Sequence, residues 1–124
     1  MLDYDHNSTR SVDWVSGCCM MIPDSIFIKA NGFDENYFLF IEDVDFCKTI
    51  QKKGYRVDYF PDAKIFHKIS SSNARIASQT IIKRHKGMIY YYKKHHKTNF
   101  LEQWAVSSMV MTRCFFQLFF NIIK

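Results

Sequence analysis

Apolar and polar positions change rhythm several times along the 124 residues. Residues 1–11 are polar and predict irregular chain. From Val12 to Ile22 nearly every position is apolar; the run contains Gly17 and is closed by Pro23-Asp24. A run this short, bounded in this way, predicts a buried strand rather than a helix. Asp24 can cap a short helix reaching Ala30, with Gly32 as its stop. Residues 43–53 predict a second helix, with acids at the start, Lys52 and Lys53 at the end and Gly54 just beyond. Arg56 to Phe60 alternates as a strand does, Pro61-Asp62 turns the chain, and residues 64–67 predict another short strand. Ser70-Ser71-Ser72-Asn73 reads as a linker. Beyond it a helical period rich in bases begins near Ile76, and a further helix starts near Phe100 and runs to the C-terminus. The pattern predicts an α/β piece over residues 1–72, followed by two C-terminal helices over 73–124, with no internal repeat.

Length and composition add three bounds. The chain is long enough for one domain at most, and its 48% hydrophobic content is sufficient for a core. The net charge of +5 hides an asymmetry: residues 1–63 carry six Lys or Arg against eleven Asp or Glu, whereas residues 64–124 carry eleven Lys or Arg against Glu102 alone. Cys18, Cys19, Cys47 and Cys114 show no CxxC spacing and read as reduced core residues of a cytosolic protein. No basic, then apolar, leader opens the sequence, so no signal peptide is expected, and the Asn7-Ser8-Thr9 sequon is expected to be idle.

The densest chemistry lies in Gly32–Phe46, where five carboxylates sit among large apolar side chains. On a helix, Asp43 shares a face with Phe46, Cys47 and Ile50, while Asp45 shares the opposite side with Lys48, Thr49 and Lys52. The spacing therefore turns Asp43 toward the protein body and Asp45 toward solvent. Partial burial would move the Asp43 carboxylate toward the range of a general base. The alternative is that Asp43 is simply the N-cap of its helix, and the two roles are compatible. His67, at the end of a predicted strand, reads either as a structural histidine or as a ligand. His95-His96, on a basic helix, reads as surface.

Five pieces in order carry a resemblance: Val12-Asp13-Trp14-Val15-Ser16-Gly17, Gly32-Phe33-Asp34-Glu35, Phe40-Ile41-Glu42-Asp43-Val44-Asp45-Phe46, Gly54-Tyr55-Arg56-Val57, and Pro61-Asp62-Ala63-Lys64-Ile65-Phe66-His67. Over residues 12–72 this order resembles the C-terminal, acceptor-side half of family 2 glycosyltransferases, the rhamnosyltransferase-like branch above all. The resemblance implies an incomplete GT-A fold, Rossmann-like with a mixed sheet. It also implies inverting transfer of a sugar from a nucleoside-diphosphate donor to an acceptor hydroxyl, on a glycan or a lipid-linked acceptor. It places the general base at Asp43 of the Glu42-Asp43 pair and the acceptor and donor pocket at Trp14, Ser16, Gly17 and Glu42. Asp34 and Glu35 fall on a loop below that pocket, where their role reads as structural, with acceptor contact as the alternative. His67 falls where some members hold a divalent metal, Mg²⁺ or Mn²⁺. The donor-binding half, with its Asp-x-Asp motif, has no counterpart; Asp3-Tyr4-Asp5 has the spelling without a preceding strand. A second chain supplying that half is one expectation, and lack of turnover by this chain alone is another.

In the C-terminal part, Lys83, Arg84, Lys86, Lys93, Lys94 and Lys97 surround Tyr90-Tyr91-Tyr92. Arg113, Gln117 and Asn121 form one polar stripe on an apolar helix, with ten uncharged residues on each side of Arg113. Membrane spans need about 20 apolar residues, so residues 83–124 predict a membrane-surface contact at the cytoplasmic face, with Arg113 snorkelling. Packing on another polypeptide is the competing reading of the same face. The competing function is a non-catalytic basic module binding membrane or nucleic acid. No RNA-binding motif is present and the acidic half would repel phosphate, so nucleic acid is not expected as a partner.

Overall fold

A computed structural model describes residues 5–67 and 78–123. Its elements run β1 (Arg10–Ser11), α1 (Asp24–Ala30), α2 (Glu42–Lys52), β2 (Asp58–Tyr59), α3 (Ser78–His95) and α4 (Phe100–Ile123). They divide into two units. One contains residues 5–34 with 42–67; the other contains residues 35–41 with 78–123.

In the first unit, α2 is the spine. Its Phe46, Cys47 and Ile50, together with Val57, form the buried cluster, and Val12, Val15, Met20, Ile22, Ile26, Ala30 and Tyr55 pack around it. Phe46 is only 1% exposed, and its ring lies 5.7 Å from Phe27 and 5.0 Å from Phe33, centroid to centroid. Such tilted contacts add about 0.5–1.5 kcal/mol per pair to the burial itself. Both helices end as the sequence predicts, and in the same way. At α1, Gly32 N–H donates to Phe27 O and Asn31 N–H to Ile28 O, with Asn31 and Gly32 both left-handed at φ 65° and 68°. At α2, Tyr55 N–H donates to Ile50 O and Gly54 N–H to Gln51 O, with Gly54 at φ 86°. These paired bonds are Schellman motifs, which satisfy the last carbonyls of a helix. Asp24 is the first residue of α1 rather than its cap; Pro23 holds the cap position and no side chain bonds there.

Three expectations are corrected. The run from Val12 to Ile22 is not a buried strand. β1 pairs antiparallel with β2, Arg10 opposite Tyr59 and Ser11 opposite Asp58, and Val12 N–H adds one bond to Val57 O at 2.9 Å. A turn closed by Cys19 N–H and Ser16 O (3.2 Å) then breaks the extended chain. Gly17 and Cys18 occupy that turn, which a continuous strand could not contain. Cys18 and Cys19 are consequently exposed, whereas Cys47 and Cys114 are buried, and all four are free thiols. Residues 64–67 are exposed and form no strand. The sheet among the described residues is thus one short antiparallel pair.

Asp45 also departs from expectation: it is 2% exposed rather than solvated. α2 is covered on more than one side, with Asp45, Phe46, Cys47 and Ile50 all buried. A carboxylate in the first helical turn is tolerated there because the turn's free N–H groups and dipole favour negative charge.

The second unit is a hairpin of α3 and α4, with residues 35–41 packed on α3. Tyr37 is buried, lies edge-on to Tyr90 at 5.1 Å, and shares the space above Gly87 with Ile41. Ile81, His85 and Gly87 of α3 and Cys114 of α4 are buried. Arg84 Nη2 donates to Gln117 Oε1 at 2.7 Å, so Gln117 of the polar stripe faces α3, while Arg113 is exposed. Lys83 Nζ stands 3.3 Å above the Phe38 ring.

Candidate active site

The site begins with a piece of chain laid along a helix. Gln51 Nε2 donates to the Val12 and Asp13 carbonyls at 3.0 and 3.1 Å, near the C-terminal end of α2. Gly17 N–H donates to Asp43 Oδ2 at 2.9 Å, near its N-terminus. Residues 12–17 therefore run antiparallel to α2 over the roughly 12 Å between Asp43 and Gln51. Two side chains of one helix clamp the two ends of the segment that carries Trp14, Ser16 and Gly17.

Asp43 is half-buried and sits within the first turn, since α2 begins at Glu42. Its Oδ1 accepts from Val44 N–H at 2.8 Å and its Oδ2 from Gly17 N–H. The carboxylate thus does more than end a helix: it also ties a second segment to it. Each oxygen keeps a further lone pair, so the group can still take a proton. A Cβ at Gly17 would meet Asp43 Cβ at 3.4 Å and Oδ2 at 3.7 Å, ordinary contact distances, so the bond from the backbone N–H does not itself require glycine. Cys47 lies one turn further on. Burial pushes its thiol above the ordinary value of 9.0; a hydrogen bond from the Val15 backbone opposes that, and the Asp43 charge reinforces it.

The backbone leading into this helix is unusual. Phe40 and Ile41 both have positive φ, 67° and 75°. A β-branched residue in that region is a strained outlier, and such strain of about 1–3 kcal/mol is commonly found beside functional groups. It falls immediately before Glu42-Asp43. Glu42 is half-buried, and its Oε2 is enclosed without a hydrogen-bond partner.

A groove of about 1180 Å³ opens in the same unit, lined by Trp14, Ser16, Val15, Met20, Phe46 and Cys47 among others. Trp14 is 45% exposed on its wall. Gly17, Glu42, Asp43 and His67 are not part of that wall. Of the remaining residues singled out from sequence, Asp34 is half-buried, and Glu35 and His67 are exposed. Among the described residues no group of three or more His, Cys, Asp or Glu side chains is placed to share a metal ion. His67, the position the resemblance offers for a metal, belongs to no such group among the described residues. The Gly17 N–H contact and the role of Gln51 are not visible in residue spacing. A glycine inside an apolar run signals a bend in the chain, and the turn at Gly17-Cys18 supplies it.

Comparison with known proteins identifies the family. Residues 5–97 match the family model described as the N-terminal domain of galactosyltransferase. The N-acetylglucosaminyl-diphospho-decaprenol L-rhamnosyltransferase of Mycobacterium tuberculosis is 34% identical over 89 residues, 72% of this chain and 29% of that protein. Rhamnosyltransferase WbbL of Escherichia coli is 35% identical over 72 residues, 58% of this chain and 27% of that protein. The low-salt glycan biosynthesis hexosyltransferase Agl10 of Haloferax volcanii is 30% identical over 53 residues, 43% of this chain and 17% of that protein. The chain therefore spans under a third of the length of these relatives. No solved structure matches it significantly. The family match covers most of the chain and the Asp43 segment lies within it: the protein belongs to the family 2 glycosyltransferases, in their rhamnosyltransferase-like branch.

Proposed function

We propose that this chain is the acceptor-side part of an inverting GT-A sugar transferase and that Asp43 is its general base. The observation that supports this is the carboxylate held by Gly17 N–H at 2.9 Å on a half-buried helix start, with lone pairs remaining for a proton. An acceptor hydroxyl is a weak nucleophile at neutral pH. Asp43 takes its proton as the oxygen attacks the anomeric carbon of the donor. The bond from that carbon to the diphosphate breaks, and its electron pair leaves with the nucleoside diphosphate. Attack opposite the leaving group inverts the anomeric centre. Proton removal by a positioned base contributes about 10²–10⁴-fold. Trp14, Ser16, Gly17 and Glu42 are assigned to the acceptor and donor pocket, and Asp34 and Glu35 to acceptor contact. His67 is assigned to the donor diphosphate side, as one ligand of a divalent ion whose other ligands come from elsewhere.

The relatives' names favour a diphospho-polyprenol-linked sugar as acceptor and rhamnose as the transferred sugar; the cytoplasmic face of the cell membrane is assigned as its location as part of the same proposal. The donor-binding half comes from additional polypeptide, and the 124 residues alone give no turnover. The test joins this chain to a donor-binding half and supplies nucleoside-diphosphate sugars with a polyprenyl-diphosphate-linked acceptor. The expected product carries one added sugar with inverted anomeric configuration. A retained configuration, or transfer by the isolated chain at the same rate, refutes the reading.

A further inference from the structure

The hairpin of the second unit is built inside out. The side of α4 that packs against α3 carries Gln103, Val106, Val110, Cys114, Gln117 and Asn121, which are buried or half-buried. Cys114 is the buried residue of this helix, and Gln117 takes the bond from Arg84. The outward side carries Trp104 (65% exposed), Phe115 (66%), Phe116 (54%), Phe119 (51%) and Phe120 (64%). A helix on a water-soluble hairpin shows the reverse, with its apolar stripe inward and polar residues out. α4 is 24 residues long, and an 18-residue window in it is apolar enough to cross a membrane while only 6% buried. Large exposed apolar patches mark interaction surfaces.

We propose that this face beds into the surface of an anionic bilayer, with α4 lying along the interface. Charge selects lipid over protein as the occupant. Lys93, Lys94 and Lys97 are exposed at the turn that leads into α4, and Lys86 is exposed on α3, with Glu102 the sole acidic residue beyond residue 63. Trp104 lies about one helical turn into α4 beyond that basic turn, the order found where a polypeptide enters the headgroup layer. Arg113 fixes the orientation. It stands about 20 Å along α4 from Phe100, so a spanning helix would leave its charge deep in the hydrocarbon, which is costly. In the interfacial orientation Arg113 is exposed, as observed, and reaches the headgroups. This anchoring is independent of the identity of the catalytic base.

The test is co-sedimentation of the full chain with vesicles containing 30 mol% phosphatidylglycerol, in parallel with pure phosphatidylcholine. The wild type should pellet with the anionic vesicles at least tenfold more strongly than with the neutral ones. The variant Phe115→Ser, Phe116→Ser, Phe119→Ser, Phe120→Ser should lose at least tenfold in partition. These rings are exposed, so its far-ultraviolet circular dichroism should stay unchanged. Should that variant lose its helices, Lys93→Glu with Lys97→Glu serves instead and should lose tenfold on anionic vesicles alone. In a Trp14→Phe background, brominated lipid should quench Trp104 fluorescence. A wild-type chain that stays in the supernatant overturns the proposal. So does one that sediments as a dimer in buffer and becomes a monomer in the four-phenylalanine variant, which would assign the face to a second copy.

Discussion

Replacing Asp43 separates a helix-start role from a catalytic one, because the two roles predict magnitudes that do not overlap. Asp43→Asn keeps an oxygen for the 2.9 Å bond from Gly17 and removes the charge. The loss in stability is then confined to the weakened charge-assisted part of that bond and the helix-dipole contribution, together about 0.5–1.5 kcal/mol. Asp43→Ala loses the bond entirely. Gly17 is exposed and its N–H can turn to water, so the additional cost stays near 1 kcal/mol. Catalysis behaves differently. Neither asparagine nor alanine accepts the hydroxyl proton, and both should lose about 10²–10⁴-fold in kcat/KM, equivalent to about 2.7–5.5 kcal/mol. The assay is kcat/KM on the enzyme completed with its donor-binding half, with urea unfolding measured on the same samples. Two variants of nearly equal stability and equally poor activity are expected. An Asp43→Asn enzyme within tenfold of wild type, or activities that follow the stability order, would show that the carboxylate only holds the segment in place.

Cys47 should resist thiol reagents in the folded protein while exposed Cys18 and Cys19 react at once, as mass spectrometry of alkylated protein would show. Burial favours its neutral thiol, so the folded state holds that proton to higher pH than the unfolded chain. The resulting stability is complete below pH 9.0 and declines as pH rises above it, a trend that a Cys47→Ala variant should flatten in alkaline urea titrations. Phe46→Ala should cost about 3–5 kcal/mol, because the ring is fully enclosed by Phe27, Phe33 and the cluster around α2; circular dichroism should show the first unit unfolded or melting far earlier. Gly87→Ala should stabilise α3 by up to about 1 kcal/mol, since the new methyl meets Tyr37 and Ile41 at ordinary contact distances of 3.5 and 3.7 Å; an unchanged or lower melting temperature would contradict that.

The parts legible from residue order are those governed by local rules. The ends of α1 and α2 follow from Asn31-Gly32 and Gly54, whose left-handed backbone closes both helices. The start of α4 at Phe100 and the acidic opening of α2 follow from period and capping preference. The family, too, is written in motif order. What escaped belongs to tertiary context. An apolar run from Val12 to Ile22 looks like a strand whether or not neighbours pair with it, and here the turn at Gly17-Cys18 interrupts it. Helical spacing gave Asp43 a direction but could not reveal that α2 is covered on the Asp45 side as well. The stripe of Arg113, Gln117 and Asn121 was visible in the sequence, yet period alone cannot say which face of a helix its neighbour covers. The Arg84–Gln117 bond supplies that answer.

Four phenylalanines projecting from one helix also decide how the polypeptide fares between synthesis and destination. A freshly released chain of this kind meets its own copies before it meets anything else, and greasy ridges at that density invite clumping. Its cellular yield should therefore rise with chaperone supply and with mild detergent during lysis, and fall steeply with overexpression. Poor recovery from plain buffer would then be a property of the correctly folded molecule.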